Sequence, residues 1–215
     1  MIAKDYSAIF FVAALFIVGL FILFLCILFT VDPYSSKGVG YIVSVLLIII
    51  GLFLLFFMRD PERNIGEGIV SPADGLVIIV DRKGKFKRVA VFMNPLNVHV
   101  NRVPVSGEVV KTHHHKGGFK PAYNKESESN ERFTTYLKTG IGEVEVVQIA
   151  GIIVRRIIPY LEEGDKVKKG DRLGHILFGS RVDTYLPKKV NIVVEEGQKV
   201  KAGVTTIAES KKKRK

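Results

Sequence analysis

A glycine-serine pair near the C-terminal end is the part of this sequence whose residue types themselves suggest chemistry. Gly179 and Ser180 lie between two runs of alternating apolar residues, and 36 residues follow the bond that joins them. Glycine tolerates backbone geometries that other residues avoid, and the Ser180 hydroxyl lies beside the carbonyl that precedes it. Attack on that carbonyl is intramolecular, so positioning lowers much of the barrier. An ester and then an elimination would leave a pyruvoyl group at a new N-terminus, whereas the alternative interpretation of the pair is an ordinary turn.

Four other stretches precede this pair in a fixed order. They are FMRDPER at 57–63, SPADG at 71–75, NPLNVHVNRVP at 94–104 and NER at 130–132. Each stretch is common in isolation, but the ordered set resembles the phosphatidylserine decarboxylases, in the short membrane-anchored form of archaea and some bacteria. The resemblance covers about residues 57 to 190. It implies a proenzyme that cleaves itself between Gly179 and Ser180 and whose serine becomes a pyruvoyl cofactor.

The resemblance also implies a role for three individual residues. Ser180 would be the nucleophile of an Asp-His-Ser arrangement, in which Asp74 orients or electrostatically supports His99. Other interpretations of the same residues stay open. Asp74 could cap a turn through its side chain, which an Asp-Gly sequence favours, and His99 could be a buried strand residue that is held by hydrogen bonds.

Arg102 marks a departure from the longer members of that family. Those members have two histidines three residues apart, which divide self-cleavage and decarboxylation between them, whereas here His99 is followed by Arg102. Either His99 serves both steps, or Arg102 replaces one role electrostatically by holding the substrate carboxylate or phosphate. Because a guanidinium group stays charged, we predict that Arg102 binds substrate and does not transfer protons.

Removal of a carboxylate from an amino acid leaves electrons on Cα, and these electrons need a sink. Pyridoxal phosphate is the usual sink, but no phosphate-binding glycine loop is evident in the sequence. A pyruvoyl group made from Ser180 would serve instead, after its keto group forms a Schiff base with the substrate amine. We therefore predict a self-made cofactor, with neither pyridoxal phosphate nor a metal.

Three adjacent histidines invite a metal interpretation. His113, His114 and His115 fall in a stretch, 113–131, that we predict to be a loop. Adjacent side chains in a loop cannot all face one ion, and no cluster of carboxylates lies beside them in the sequence. A solvated or phosphate-facing loop is therefore favoured over a metal site.

The charge of the chain is unevenly distributed. The net charge is +11, and residues 1–58 contribute nothing to it because their two lysines balance two aspartates. A basic part beside an apolar part predicts an anionic surface as a partner, and no nucleic-acid recognition motif competes with a lipid. The basic tail 210–215 is either a solvated end or an electrostatic tether to such a surface. With Cys26 as the single cysteine, an intrachain disulfide is excluded.

Two long uncharged runs, 8–31 and 39–58, lie in the N-terminal part of the chain. Each reaches the roughly 20 residues that a helix needs to cross a bilayer, and the short turn 32–38 between them predicts an antiparallel transmembrane hairpin over 1–58. The positive-inside rule places Arg59 and the basic domain on the cytoplasmic side of the cell membrane. The alternatives are a cleaved signal peptide, which lacks a clear cleavage site here, and a hairpin that dips into the bilayer without crossing it.

Residues 59–209 are predicted to form a mainly β domain, with no strong amphipathic helix between 64 and 210. Short alternating runs bounded by Gly, Pro, Asn or Asp lie at 77–80, 88–92, 108–110, 144–150 and 152–158. The stretch LEEGDKVKKG at 161–170 recurs as VEEGQKVKAG at 194–203, which predicts β-hairpins with glycine-assisted turns at both ends. The repeat resembles the hairpin of lipoyl and biotinyl domains, a sandwich or barrel, although the lysine-bearing turn that those carriers modify is not evident.

These observations predict a membrane-bound pyruvoyl decarboxylase that converts the serine head group of phosphatidylserine or archaetidylserine to ethanolamine. Its partners would be an anionic phospholipid and the membrane, and the two chains from one precursor would stay associated; a homo-oligomer is an open alternative. The competing hypothesis is a non-enzymatic membrane adaptor with a lipoyl-like β domain. An adaptor needs the apolar runs and the repeats, but it does not need Gly179, Ser180, Asp74 and His99 together.

Overall fold

A computed structural model describes residues 15–25, 36–118, 130–151, 157–177 and 180–210. It divides the chain into a helical unit, Ile2–Arg59, and a β unit that contains Asp60–Lys215. Gly179 and the residues 211–215 of the basic tail lie outside the described residues, as does most of the predicted turn 32–38.

The helical unit contains α1, described over 15–25, and α2, Ser36–Phe57. The two helices pack closely, since a side chain at Gly51 would overlap the ring of Phe16. Many of their apolar side chains point outward; Ile17, Phe21 and Ile42 are each at least 60% exposed. Within these described residues, no helix combines the length and the apolar character of a membrane span, so the predicted transmembrane hairpin over 8–31 and 39–58 is not found.

The β unit confirms the prediction of a mainly β domain. Its described strands are β1 Ile69–Val70, β2 Gly75–Lys83, β3 Phe86–Met93, β4 Val100–Arg102, β5 Gly107–His115, β6 Arg132–Thr139, β7 Gly142–Ile149, β8 Ile157–Pro159, β9 Lys166–Val167, β10 Arg172–Ile176, β11 Ser180–Pro187, β12 Val190–Ile192, β13 Lys199–Val200 and β14 Thr206–Ser210. Eight of them form one antiparallel sheet in the order β13-β2-β3-β11-β7-β6-β5-β9. Two three-stranded sheets, β4-β10-β8 and β1-β14-β12, accompany it.

Strand alternation separates a core face from an outer face of the large sheet. On the central strands, Val91 of β3, Val182 of β11 and Val146 of β7 are fully buried on the core face. Burial of each such side chain contributes about 1.5–3 kcal/mol relative to leaving it in water. Because the side-chain period of a strand is two residues, this apolar pattern fixes which residues of β11 face the core.

The large sheet is built from two similar halves. The half β13-β2-β3-β11 is matched by the half β9-β5-β6-β7, and the same hydrogen bonds hold the edge strand in each. Gly197 donates its N–H to the carbonyl of Val77 at 2.8 Å, and Gly164 donates to the carbonyl of Val109 at 2.8 Å. The sequence repeat at 161–170 and 194–203 therefore reflects a structural duplication of a larger unit.

The repeat forms glycine-assisted turns, but it does not form hairpins by itself. Gly164, Gly170, Gly197 and Gly203 all have positive φ, as turn glycines do. The short strands β9 and β13 pair with the distant strands β5 and β2, however, and not with a partner inside the same repeat. The prediction of local hairpins was wrong because the chain supplies longer edge strands that offer unpaired backbone groups.

The three histidines lie in a strand and not in a loop. His113, His114 and His115 end β5 and pair with β6, so the predicted loop over 113–131 was wrong at its start. Alternation places His113 and His115 on one face with their rings stacked at 6.4 Å, while His114 contacts Glu131 on the other face at 2.9 Å. Adjacent residues of a strand cannot converge on one ion, and the described residues contain no group of three metal-binding side chains.

Candidate active site

Ser180 is the first residue of β11 and is completely buried. It lies opposite Met93, the last residue of β3, and its Oγ is 4.0 Å from the Met93 Sδ. It shares the core face of the strand with Val182. The Ser180 hydroxyl is therefore shielded from water. Its backbone is held in place because the pairing of β11 with β3 begins at Ser180 itself.

A buried pair of amides adjoins this serine. Gln148 of β7 donates from Nε2 to the Oδ1 of Asn101 at 2.8 Å, and Asn101 donates from Nδ2 to the Met93 Sδ at 3.6 Å. Both amide residues are fully buried, and the Gln148 Oε1 has no hydrogen-bond partner among the described residues. A side chain at position 174 would approach within 3.0 Å of the Gln148 amide, so Gly174 of β10 leaves the room that this amide occupies.

Sequence reasoning missed this amide pair. Asn101 lies in the stretch 94–104 but was not singled out, because the histidine beside it carries the familiar chemistry. Gln148 is a polar residue on the core face of a strand that is otherwise apolar there. An amide at such a position is costly to bury without hydrogen-bond partners. A glutamine on the apolar face of a predicted strand therefore indicates a buried polar partner elsewhere in the chain.

His99 precedes β4 and is also completely buried. Its Nδ1 lies 3.0 Å from the carbonyl oxygen of Asn97, and a carbonyl can only accept. The Nδ1 therefore carries the proton, and in the neutral ring the Nε2 is the basic nitrogen. The carbonyl of His99 accepts a hydrogen bond from the N–H of Ile176 at 3.3 Å, which ties the histidine to the strand that leads toward Ser180.

Asp74 lies at the same end of the sheet, immediately before β2. Arg63 donates to both of its carboxylate oxygens at 3.1 and 2.9 Å, and the N–H of Ala202 donates to Oδ1 at 2.7 Å. The next residue must be glycine, since φ is +149° at Gly75 and a Cβ there would meet the carbonyl oxygen of Phe92 at 2.0 Å. The 57–63 stretch thus supplies the counter-charge of Asp74.

The structure does not bring Asp74 into hydrogen bonding with His99 or Ser180. Strand β2 is separated from β11 by β3 alone, so the backbones of Asp74 and Ser180 are about two strand spacings apart, roughly 10 Å. Asp74 and Asn97 line one cavity of about 500 Å³, and the carbonyl of Asn97 contacts His99. Asp74 and the residue that holds the His99 ring therefore line one cavity, and no hydrogen bond joins the aspartate to the histidine among the described residues.

Arg102 points to the other side of β4 from Asn101. Its guanidinium donates to Asp60 at 2.5 Å, to the carbonyl of Gly170 at 3.2 Å and to the carbonyl of Pro61 at 3.1 Å. Arg172 donates to the second oxygen of the same aspartate. These contacts give Arg102 a structural role, and the hypothesis that it binds substrate stays a prediction.

We expect replacement of Asp60 by asparagine to destabilise the β unit by about 3 kcal/mol, because it leaves Arg102 buried without its carboxylate. Asp60 is 1% exposed and serves two arginines at once. Urea unfolding followed by tyrosine fluorescence measures the change. Glu143→Gln is the control, since its pair with Lys85 is about three-quarters exposed at 3.4 Å and should contribute less than about 1 kcal/mol. Equal midpoints for the two variants would contradict a structural role of Asp60.

An ionic cluster occupies the outer face of β11, behind Ser180. Arg181, which is fully buried, contacts Asp183 at 2.8 and 3.0 Å, and Arg88 lies 3.7 Å from the same aspartate. The hydrogen-bonded carboxylate of Asp81 raises the pKa of Arg88, with burial opposing the shift and Asp183 adding to it. On the same face, burial raises the pKa of Glu145 and the charge of Lys85 opposes that rise. The contact between Arg88 and Asp183 joins β3 to β11 on this face.

The geometry defines a class of protein: a β domain in which a buried serine begins a strand, and in which a buried histidine with a basic Nε2 is tied to the strand that precedes that serine. The family model for phosphatidylserine decarboxylase matches residues 50–208 of this chain. A phosphatidylserine decarboxylase proenzyme of Streptomyces avermitilis is 53% identical over 173 residues, which is 80% of each chain. A protein of Methanococcoides burtonii, provisionally named an archaetidylserine decarboxylase proenzyme, is 47% identical over 162 residues, 74% of this chain and 76% of its own. The chain belongs to the phosphatidylserine decarboxylase family.

Proposed function

We propose that this chain is a proenzyme that cleaves itself between Gly179 and Ser180 and then decarboxylates the serine head group of a phospholipid. The single observation that carries the proposal is the complete burial of Ser180 at the start of β11, next to a core of polar side chains. Phosphatidylserine and archaetidylserine are the candidate substrates, since relatives named for each are about equally similar.

Maturation begins at the Ser180 hydroxyl. The Nε2 of His99 accepts the hydroxyl proton while Oγ attacks the carbonyl carbon of residue 179, and the amide C–N bond breaks as the Ser180 nitrogen takes up a proton. The ester that results loses the Cα proton of residue 180, and its Cβ–Oγ bond breaks to leave a carboxylate on residue 179. Water then attacks the carbon that bears the nitrogen of residue 180, and the nitrogen leaves as ammonia. The water oxygen becomes the keto oxygen of the pyruvoyl group at the N-terminus of the small chain.

The residues around Ser180 fit such a group. The Asn101 Nδ2, which donates to the Met93 sulfur, can donate to the carbonyl oxygen that appears when the hydroxyl becomes a ketone. The buried Gln148 Oε1, which has no hydrogen-bond partner among the described residues, can only accept, and it suits the N–H of the substrate amine. Once formed, the pyruvoyl group supplies an electrophilic carbonyl that withdraws the electrons left when the substrate carboxylate departs. His99 moves the proton that must return to Cα, because a histidine near neutral pH can both accept and donate.

The two chains stay together after cleavage because the cut lies at the edge of a central strand. All eight residues of β11 pair with β3, and five of them also pair with β7. The small chain further contributes β13, which pairs with β2, and β14, which pairs with β1. Separation of the chains would expose these ladders and the buried side chains that the small chain contributes to the core, such as Val182 and Leu186.

The test of this function is turnover by purified protein. Protein that carries the pyruvoyl group should release carbon dioxide from phosphatidylserine in mixed micelles and leave a lipid with an ethanolamine head group. Trapping with borohydride and an amine should stop that release. Release that persists after trapping, or its absence from fully processed protein, would contradict the proposal.

A membrane anchor in residues 1–58 completes the proposal. Its support is the pair of uncharged runs, 8–31 and 39–58, the outward-facing apolar side chains of α1 and α2, and the basic charge of the remaining chain. With both termini on one side, the positive-inside rule places the β unit at the cytoplasmic face of the cell membrane. Retention in the membrane pellet after alkaline carbonate extraction is the expected result, and release into the supernatant would count against an anchor.

The β unit is also proposed to share the architecture of lipoyl and biotinyl domains. The support is the duplication of a β-hairpin with its edge strand in each half of the sheet, at 71–93 and 103–139. The kinship concerns the fold and carries no inference of carrier function.

A further inference from the structure

The cavity beside Asp74 has a feature that the chemistry at Ser180 does not use. It encloses about 500 Å³ at the edge of the large sheet, and its walls mix charged, polar and apolar groups. The lining residues that bear on its role are Asp74, Asn97, Lys199, Lys201, Leu76 and Phe92. One of the lining residues, Asn97, also contacts the His99 ring through its backbone carbonyl.

Two lysines present their charges to this cavity. Lys199, in β13, and Lys201, which follows that strand, are exposed, flank the buried Val200 and both line the cavity. Neither ammonium group forms an ion pair or a hydrogen bond with the described residues. The charge of Asp74 is already balanced by Arg63 at 2.9 Å. The two lysines are therefore positive charges that an anion can satisfy.

The register of β13 orders the groups along the cavity. Lys199 lies opposite Leu76 and Val200 lies opposite Gly75, which places Lys201 beside Asp74. Leu76 is 38% exposed and forms an apolar wall with Phe92 next to the lysines. The cavity thus has one lysine level with the Asp74 carboxylate and the other level with the apolar wall. Cations beside an apolar surface suit a phospholipid, whose phosphodiester is anionic and whose chains are apolar.

We propose that Lys199 and Lys201 bind the phosphodiester of the substrate, as the site that selects a phospholipid over other serine compounds. This inference rests on the proposed function. Lysine binds phosphate as a point charge, so the pair contributes affinity without fixing one orientation of the oxygens. Both residues lie in the small chain, which would then supply the pyruvoyl group and the phosphate contact together.

The duplication of the fold offers a matched control. Lys166 and Lys168 occupy the same positions in the other half, on β9, and they are equally exposed. The residue that corresponds to Asp74 there is Ser106: Ser106 Oγ accepts the N–H of Lys169 at 2.8 Å, as Asp74 accepts that of Ala202 at 2.7 Å. Replacing Lys166 and Lys168 therefore removes the same two positive charges at the other edge of the sheet, where Ser106 takes the place of the Asp74 carboxylate.

The experiment compares the double variants Lys199→Ala/Lys201→Ala and Lys166→Ala/Lys168→Ala. Self-cleavage is scored first on a denaturing gel, and it should be complete in both. Turnover is then measured with dihexanoyl phosphatidylserine below its micelle concentration and with O-hexylserine, which lacks the phosphate. We expect the first variant to raise KM for the phospholipid at least tenfold with kcat within twofold, and to leave the kinetics with O-hexylserine unchanged. The control variant should stay within twofold of wild type on both substrates.

Two further arms separate a phosphate site from a general charge effect. Lys199→Arg/Lys201→Arg should restore KM to within about threefold of wild type, and inorganic phosphate should inhibit wild type weakly compared with glycerophosphoserine. Equal KM changes in the two alanine double variants would overturn the site in favour of membrane attraction. The same conclusion would follow if KM of Lys199→Ala/Lys201→Ala rose only with anionic vesicles and not with the monomeric lipid. Comparable inhibition by inorganic phosphate and glycerophosphoserine would overturn a head-group site. If processed wild-type protein turns over neither substrate, the proposed function itself fails.

Discussion

Replacing Ser180 with alanine is expected to leave a single uncut chain that has no decarboxylase activity. In the proposed maturation, the serine Oγ is both the atom that attacks the peptide bond and the atom whose departure creates the pyruvoyl group, so no other side chain can substitute for it. Wild-type protein should instead show two fragments. The smaller one, 36 of 215 residues in a 24.0 kDa chain, has a mass of about 4 kDa and an N-terminus that resists Edman degradation.

Intact mass spectrometry distinguishes the two outcomes, and Ser106→Ala is a suitable control. Ser106 occupies the position in the other half of the sheet that corresponds to Asp74, where no peptide bond is cut. That variant should cleave as wild type does. A single uncut band from active wild-type protein, or two fragments from Ser180→Ala, would rule out self-cleavage at this bond.

Replacing His99 with alanine is expected to lower decarboxylation by about 10²–10⁴-fold even in molecules that have matured. General acid-base catalysis is usually worth that much, and the electron sink alone does not deliver a proton to Cα. His99 is suited to the task because its Nδ1 proton is held by the carbonyl of Asn97, which leaves Nε2 as the basic nitrogen. Activity is normalised to pyruvoyl content, measured by trapping with borohydride and an amine.

Asp74 should behave differently. Its carboxylate is held by Arg63 and the N–H of Ala202, and it does not contact His99 within the described residues. We expect Asp74→Ala to accumulate uncut precursor, because loss of this charge changes the field at the end of the sheet during maturation. The fraction that does mature should decarboxylate at a rate nearer to wild type. If processed His99→Ala turned over like wild type, His99 would not be the proton donor and a positioned water would have to replace it.

Several features of this protein could be predicted from the sequence because they depend on local patterns. Short alternating runs between glycines and prolines predict strands. Three of those runs lie inside β2, β3 and β5, and the run 144–150 ends one residue beyond β7, whereas most of the run 152–158 lies outside the described residues. The turns at Gly164, Gly170, Gly197 and Gly203 follow from the glycine spacing, since positive φ is favourable only without a Cβ. Ser180 as a candidate nucleophile and His99 as a candidate base follow from residue types that carry the chemistry and from motifs that occur in a recognisable order.

What only the tertiary structure decided are the partners that lie far apart in the chain. The sequence repeat at 161–170 and 194–203 indicated local hairpins, whereas the strands pair with β5 and β2, because an unpaired edge offers a whole row of backbone groups that a two-residue strand can use. The matching stretches 71–80 and 103–112 share only a proline, a glycine and a valine at equivalent positions. The duplication is therefore evident from the matching backbone hydrogen bonds and not from the sequence.

The candidate site shows the same division. Ser180, His99 and Asp74 were named in advance, but the sequence by itself could not place Gln148 and Asn101 against the serine, or Asp60 between two arginines. Buried amides and carboxylates need partners to offset the cost of leaving water, and those partners come from wherever the fold brings a donor within reach. The chemistry of a residue is a property of its type, and so it can be read from the chain. The contacts that hold the residue depend on which strands become neighbours, and that is decided only when the whole core closes.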